Sequence, residues 1–187
     1  MTVKDVIKIT ATLLGREKVL EYLSSENPDS FDAQTLCQVD VMTRCLNIVI
    51  NELACTYVPM TIRETVETRQ GKVYFSDLKE TLLKIRSITD KNGKQLTYKL
   101  SAEYIVVDSA RVDIEYDFVP CNYGITDVIG YKESQIPVRI LAYGTCAEFC
   151  LTERAFDDAV VFHKKYMDCI AEICSPKNVK IRARGFI

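Results

Sequence analysis

One imidazole and eight thiols carry most of the reactive chemistry in this sequence. The thiols stand at Cys37, Cys45, Cys55, Cys121, Cys146, Cys150, Cys169 and Cys174, and His163 is the sole histidine. As a general base, His163 would need a nucleophile such as Cys146 or Cys150 beside it. The pairs Cys146/Cys150 and Cys169/Cys174 could share helix faces, which makes zinc conceivable. No two cysteines form the Cys-x-x-Cys knuckle that zinc sites use most. His163 falls in a helical apolar stripe, where a histidine is structural. Most of the cysteines lie inside similar stripes, where a thiol behaves as a small hydrophobe. The reading is buried structural thiols, kept reduced in a cytosol. The acids Asp157-Asp158 and Asp113/Glu115/Asp117 read as solvated faces. Glycosidase chemistry would need two carboxylates across a cleft. There is no Walker loop, dinucleotide glycine fingerprint or Gly-x-Ser-x-Gly elbow. The residues therefore predict no catalytic, cofactor or metal site and no enzyme.

The elements that would position these groups are helical at both ends and β in between. Thr2 with Asp5 is a capping signature, and Val3, Val6, Ile7, Thr10, Leu13 and Leu14 keep helical spacing up to a stop at Gly15. Val19 to Leu23 gives a short second helix. Asp29 or Ser30 is expected to cap a third, running to about Tyr57 and ended by Pro59. Its broad stripe, from Val39 and Met42 to Val49 and Leu53, predicts burial on more than one side and a central place. Pro137 opens a fourth helix, with Ile140, Tyr143, Ala147, Cys150 and Leu151 on one face. A break near Thr152–Arg154 precedes a fifth, from Phe156 to Ile173, ended by Pro176.

Between them, Gly71 to Pro120 reads as β. Val112, Ile114, Tyr116 and Phe118 alternate with Arg111, Asp113, Glu115 and Asp117, the period of a half-buried strand. Asn92-Gly93 predicts a two-residue hairpin turn joining Ile85–Thr89 to Leu96–Leu100. Ile88 falls out of phase with Leu83 and Ile85, which predicts a bulge near Ser87. Thr61 to Arg69 reads as an exposed strand. The expected fold class is α+β: a helical body of four to five helices (1–58 and 136–187), an inserted antiparallel β module (59–120) and a long connection (121–135). That connection holds Tyr123, Ile125, Val128, Ile129 and Tyr131, which are costly to leave together in water. They either pack back on the body or meet a neighbouring subunit or tail component.

Apolar residues make up 48% of 187, so the chain has a core, and the net charge of -2 argues against a nucleic-acid-binding surface overall. No apolar run reaches membrane-spanning length. The amphipathic start lacks the marks of a secretory signal. The last residues are basic: Lys177, Lys180, Arg182 and Arg184, followed by Phe186. Docking on an acidic partner, a solvated end and nucleic-acid contact are all open for that tail.

A succession of soft motifs gives these parts a precedent. Gly71-x-Val73-x-Phe75-Ser76-Asp77-Leu78 precedes Ile85-x-x-Ile88 and Asp90-x-Asn92-Gly93-Lys94, with Tyr98, then Tyr116 and Pro120. Pro137, Arg139, Tyr143-Gly144, Ala147-Glu148-Phe149-Cys150, Ala159, Phe162 and Lys165-Tyr166 follow. From about Asp32 onward the chain resembles the head-to-tail adaptor proteins of tailed bacteriophages, the tail-tubular adaptors of short-tailed phages in particular. The resemblance implies a structural protein of the virion, made in the host bacterial cytoplasm. Copies would close a dodecameric ring beneath the portal protein and bind a tail or nozzle protein. Double-stranded DNA would pass the lumen without sequence-specific contact. It implies that the helical part and basic tail meet the portal and the β part faces the tail. The alternative is a cytosolic enzyme or ligand-binding module with a pocket between helices and β lobe. A DNA-binding regulator is a third, weaker possibility.

Overall fold

The computed structural model describes residues 1–25 and 31–175. Helix α1 (Val3–Leu13) opens on a complete capping box, with Thr2 and Asp5 exchanging hydrogen bonds. It closes at Gly15, whose φ of 64° lets Arg16 N–H reach back 2.8 Å to the Ala11 carbonyl. α2 (Glu17–Ser24) follows. α3 (Ala33–Glu52) is capped by Asp32, which accepts from Thr35 N–H at 2.7 Å, rather than by Asp29 or Ser30. Those two residues lie outside the described ones. α3 ends in a wider π-helical turn, Leu53–Tyr57, closed by Val58 N–H on the Leu53 carbonyl at 2.7 Å.

The β module holds two three-stranded antiparallel sheets. β1 (Met60–Glu67), β6 (Arg111–Val119) and β3 (Thr81–Thr89) form one, in that order. β2 (Lys72–Tyr74), β5 (Tyr104–Val107) and β4 (Tyr98–Leu100) form the other. Their inner faces meet in one cluster that includes Val66, Val73, Ile88, Ile105, Val107, Val112, Ile114 and Tyr116. The expected bulge is present, since the β3–β6 register shifts between Ile85 and Ser87, and again between Leu82 and Lys84. The hairpin differs from expectation. Gly93, φ 79°, takes the left-handed position alone, and Asp90 N–H bonds the Lys94 carbonyl, so three residues turn the chain. After one bridge, Thr89 to Gln95, the chain leaves β3 and gives β4 to the other sheet.

The helical body closes with α4 (Val138–Thr152) and α5 (Phe156–Cys174), separated by a turn at Arg154, φ 61°. α3, expected to be central, packs against α1, α2 and α4, while α4 packs against α1, α3 and α5, and Ile140, Leu141, Gly144, Thr145, Cys146, Phe149 and Cys150 bury it nearly all round. Gly144 permits this, because a Cβ there would lie 2.7 Å from Val49 Cγ1. The body core and the β cluster are separate, and Phe118 packs against both. No helix among the described residues is long and apolar enough to cross a membrane.

Candidate interaction surfaces

The reactive groups are locked inside or dispersed. Cys146 and Cys150 are buried, and burial pushes the Cys146 thiol up to about 12, so it holds its proton at neutral pH. Cys45 is raised to about 11 by the same cause, with the Glu148 charge adding to it. The reading of the cysteines as mostly buried is corrected for four of the eight. Cys37, Cys55, Cys121 and Cys174 are exposed. Among the described residues, no group of three His, Cys, Asp or Glu side chains is placed to hold a metal ion. Asp157 and Asp158 are exposed in the first turn of α5.

The acids of β6 are less solvated than their alternation suggests. Asp113 accepts from Thr65 Oγ1 at 2.5 Å and pairs with Arg63 at 3.2 Å, and Ser87 donates to Glu115 at 3.2 Å. Asp117 is buried outright, accepting from Thr61 Oγ1 at 2.9 Å and Arg86 Nε at 2.8 Å. Glu64 is also buried. It accepts from Tyr116 Oη at 2.6 Å and Lys79 N–H at 3.1 Å. Period-two spacing from Met60 and Ile62 could have found it, since it puts Glu64 on their inward face.

The connection 121–135 is largely a piece of the body. Tyr131 and Ile129 are buried, and Tyr123 and Ile125 pack against the same core. Tyr131 Oη donates to the Val58 carbonyl at 2.7 Å, and burial raises its hydroxyl pKa. Asn47 brackets Tyr123, accepting its N–H at 2.8 Å and donating to its carbonyl at 3.0 Å. Val3 N–H bonds Asp127, and Ile129 N–H bonds Met1, stitching the segment to the start of α1. Tyr131 is thus core rather than a contact residue, because an apolar ring gains more from that packing than from water. Of the five apolar residues there, Val128 is the exposed one, at 66%, and is free to meet a neighbour.

Among the described residues, large apolar side chains stand open in two places. On the helical body, a trough of about 370 Å³ runs between Ala147, Glu148, Leu151, Phe156, Val160 and His163. It continues into a smaller hollow lined by Ile48, Glu52, Gly144 and Tyr166, where Tyr166 donates to Glu52 at 3.0 Å. His163 therefore sits on an open, partly acidic surface rather than in a core stripe, and no thiol lines the trough with it. Phe156, Val160 and Leu151 are exposed, and α5 is buried along one side, through Ala159, Tyr166 and Ile170. On the small sheet, Tyr98, Leu100 and Val106 are exposed. The tail residues Lys177, Lys180, Arg182, Arg184 and Phe186 lie outside the described residues. Comparison of the chain with protein-family models and with curated proteins gives no match.

Proposed function

We propose that this chain is a structural assembly protein, an adaptor whose copies form a ring between the portal of a phage head and its tail, around the DNA channel. One observation carries the reading: among the described residues, large apolar side chains stand exposed in two separate places, Leu151, Phe156 and Val160 along the α4–α5 trough and Tyr98, Leu100 and Val106 on the small sheet. A ring closes through unlike faces meeting head to tail, so each copy must present two. Exposed apolar patches of this kind mark contact surfaces. The basic tail supplies charge for an acidic portal surface, and the slightly acidic chain does not grip DNA as it passes.

Native mass spectrometry of the purified chain, alone and mixed with a portal protein from the same genome, tests this. A portal-bound ring of the chain is expected. Failure to bind any head or tail component would overturn it. The second reading, an enzyme or ligand-binding module, draws on Glu52, Glu148, His163 and Tyr166 around one trough. Saturable binding of a small molecule there would favour it.

A further inference from the structure

The Asn92-Gly93 turn carries chemistry that neither an adaptor nor a ligand-binding module calls on. An asparagine followed by glycine is able to react with its own backbone. The glycine nitrogen attacks the side-chain carbonyl carbon, an intramolecular step favoured by proximity, and the missing Cβ leaves the approach clear. The other asparagines precede Pro28, Ile48, Glu52, Tyr123 and Val179, which lack the N–H or carry a side chain beside it.

Placement adds to residue type. Residues 91–95 are all exposed, and nothing lies within 4 Å of where a Cβ on Gly93 would stand. Asn47, by contrast, is held at both ends of its amide by the Tyr123 backbone, at 2.8 and 3.0 Å. Asn51 is fixed within α3.

The turn also contains a restraint. The proton that must leave the Gly93 nitrogen is donated to the Asp90 carbonyl at 3.0 Å. The Asp90 carboxylate accepts from Asn92 N–H at 2.8 Å and Lys94 N–H at 2.9 Å, which pins the chain on both sides of Gly93. These bonds, that from Lys94 first, hold the Asp90 carboxyl below its ordinary value, so it stays ionised and accepting at neutral pH.

We propose that Asn92 is a self-modification site, converted to aspartate and isoaspartate through a cyclic imide with Gly93, at a rate restrained by Asp90. A bond forms between Gly93 N and Asn92 Cγ, the Cγ–Nδ2 bond breaks, and ammonia leaves with the Gly93 proton. Water then opens the ring. Cleavage between Cγ and the nitrogen gives aspartate. Cleavage at the main-chain carbonyl carbon gives isoaspartate, whose peptide bond runs through Cγ and lengthens the backbone by one carbon. Either product places a second carboxylate beside Asp90.

The site stands where the chain passes between sheets. Asp90 N–H to the Lys94 carbonyl at 2.9 Å and Leu96 N–H to the Ile88 carbonyl at 2.8 Å set the path from β3 toward β4. A longer backbone inside that turn shifts the edge strand of the small sheet. This chemistry does not depend on the adaptor reading.

Peptide mapping of the full chain, incubated at neutral pH in heavy-oxygen water, tests it, with electron-driven fragmentation to tell isoaspartate from aspartate. Residue 92 should gain both products with a heavy oxygen, while Asn47, Asn51 and Asn122 stay intact. Asp90→Ala removes an ionised acceptor and should speed conversion about tenfold. Asp90→Asn keeps an acceptor oxygen and should fall between that variant and the parent. An Asn92 that stays intact while the urea-unfolded chain is converted would overturn the proposal. Aspartate without isoaspartate would mean direct hydrolysis and rule out the imide. An Asp90→Ala rate equal to the parent's would remove Asp90 as the restraint.

Discussion

The carboxylate of Asp117 and the guanidinium of Arg86 meet at 2.8 Å across a β-bulge, the first 2% exposed and the second 45%. Arg86 is the residue that the β3–β6 register skips, and the bulge aims it at Asp117. The two ends of this pair are unequal. Arg86→Met leaves a buried charge with the Thr61 hydroxyl as its remaining partner, while Asp117→Asn leaves a cation that water can reach. The urea midpoint should therefore fall further for Arg86→Met than for Asp117→Asn. Equal and small losses would class the pair with ordinary surface bridges.

Gly144 sets the distance between α3, α4 and α5. A methyl group there would stand 2.7 and 3.0 Å from the Val49 methyls and 3.1 Å from the Tyr166 ring. Alanine gains about 1 kcal/mol in helix propensity. Overpacking costs about 1–3 kcal/mol. Gly144→Ala should thus lose about 1 kcal/mol net, against the propensity trend. In a double-mutant cycle, Val49→Ala should make Gly144→Ala less costly or stabilising. Additive effects would show that the crowding is relieved elsewhere.

Asp32 gives the fold an acid-sensitive joint. Its carboxyl is held down to about 2 from an ordinary 3.8, first by the Thr35 side chain, then by the Thr35 N–H and Lys18. A depressed folded value means the contribution is complete above 3.8 and disappears as pH falls through about 2. Asp32→Asn keeps the cap but carries no charge. Its stability should track the parent closely at neutral pH and decline less between those two values. Urea midpoints measured across the range check this; parallel curves would refute it.

Leu100 is 63% exposed on β4, so Leu100→Asp should change stability by less than about 0.5 kcal/mol. If the small sheet is one of the two ring faces, the same change should abolish ring closure with the portal protein in native mass spectrometry. A fully assembled ring from the variant would remove that sheet from the interface.

The helices were legible because their apolar spacing, the Thr2/Asp5 cap, Gly15 and Pro59 all agree locally. The alternation of β6 was equally plain. What remained hidden depends on non-local partners. The residues of β6 do not tell that a bulged arginine will cover Asp117. Nothing in Asn92-Gly93 says that the strand after it will join another sheet. The stripe on α5 is covered only in part. Phe156 and Val160 keep helical spacing with the buried Ala159 and Tyr166, yet the body ends before it covers them. Spacing reports that a face is apolar, and the rest of the fold decides whether anything covers it. Val128 was legible as apolar, while the burial of Tyr131 needed the carbonyl of Val58.

Phe118 has one further consequence. Its ring packs against both cores, and its β1 partner Met60 belongs to the helical core, so a load applied to the strands passes to the helices through packed side chains instead of a slack tether. A chain built this way transmits a push or a twist from one core to the other without stretching.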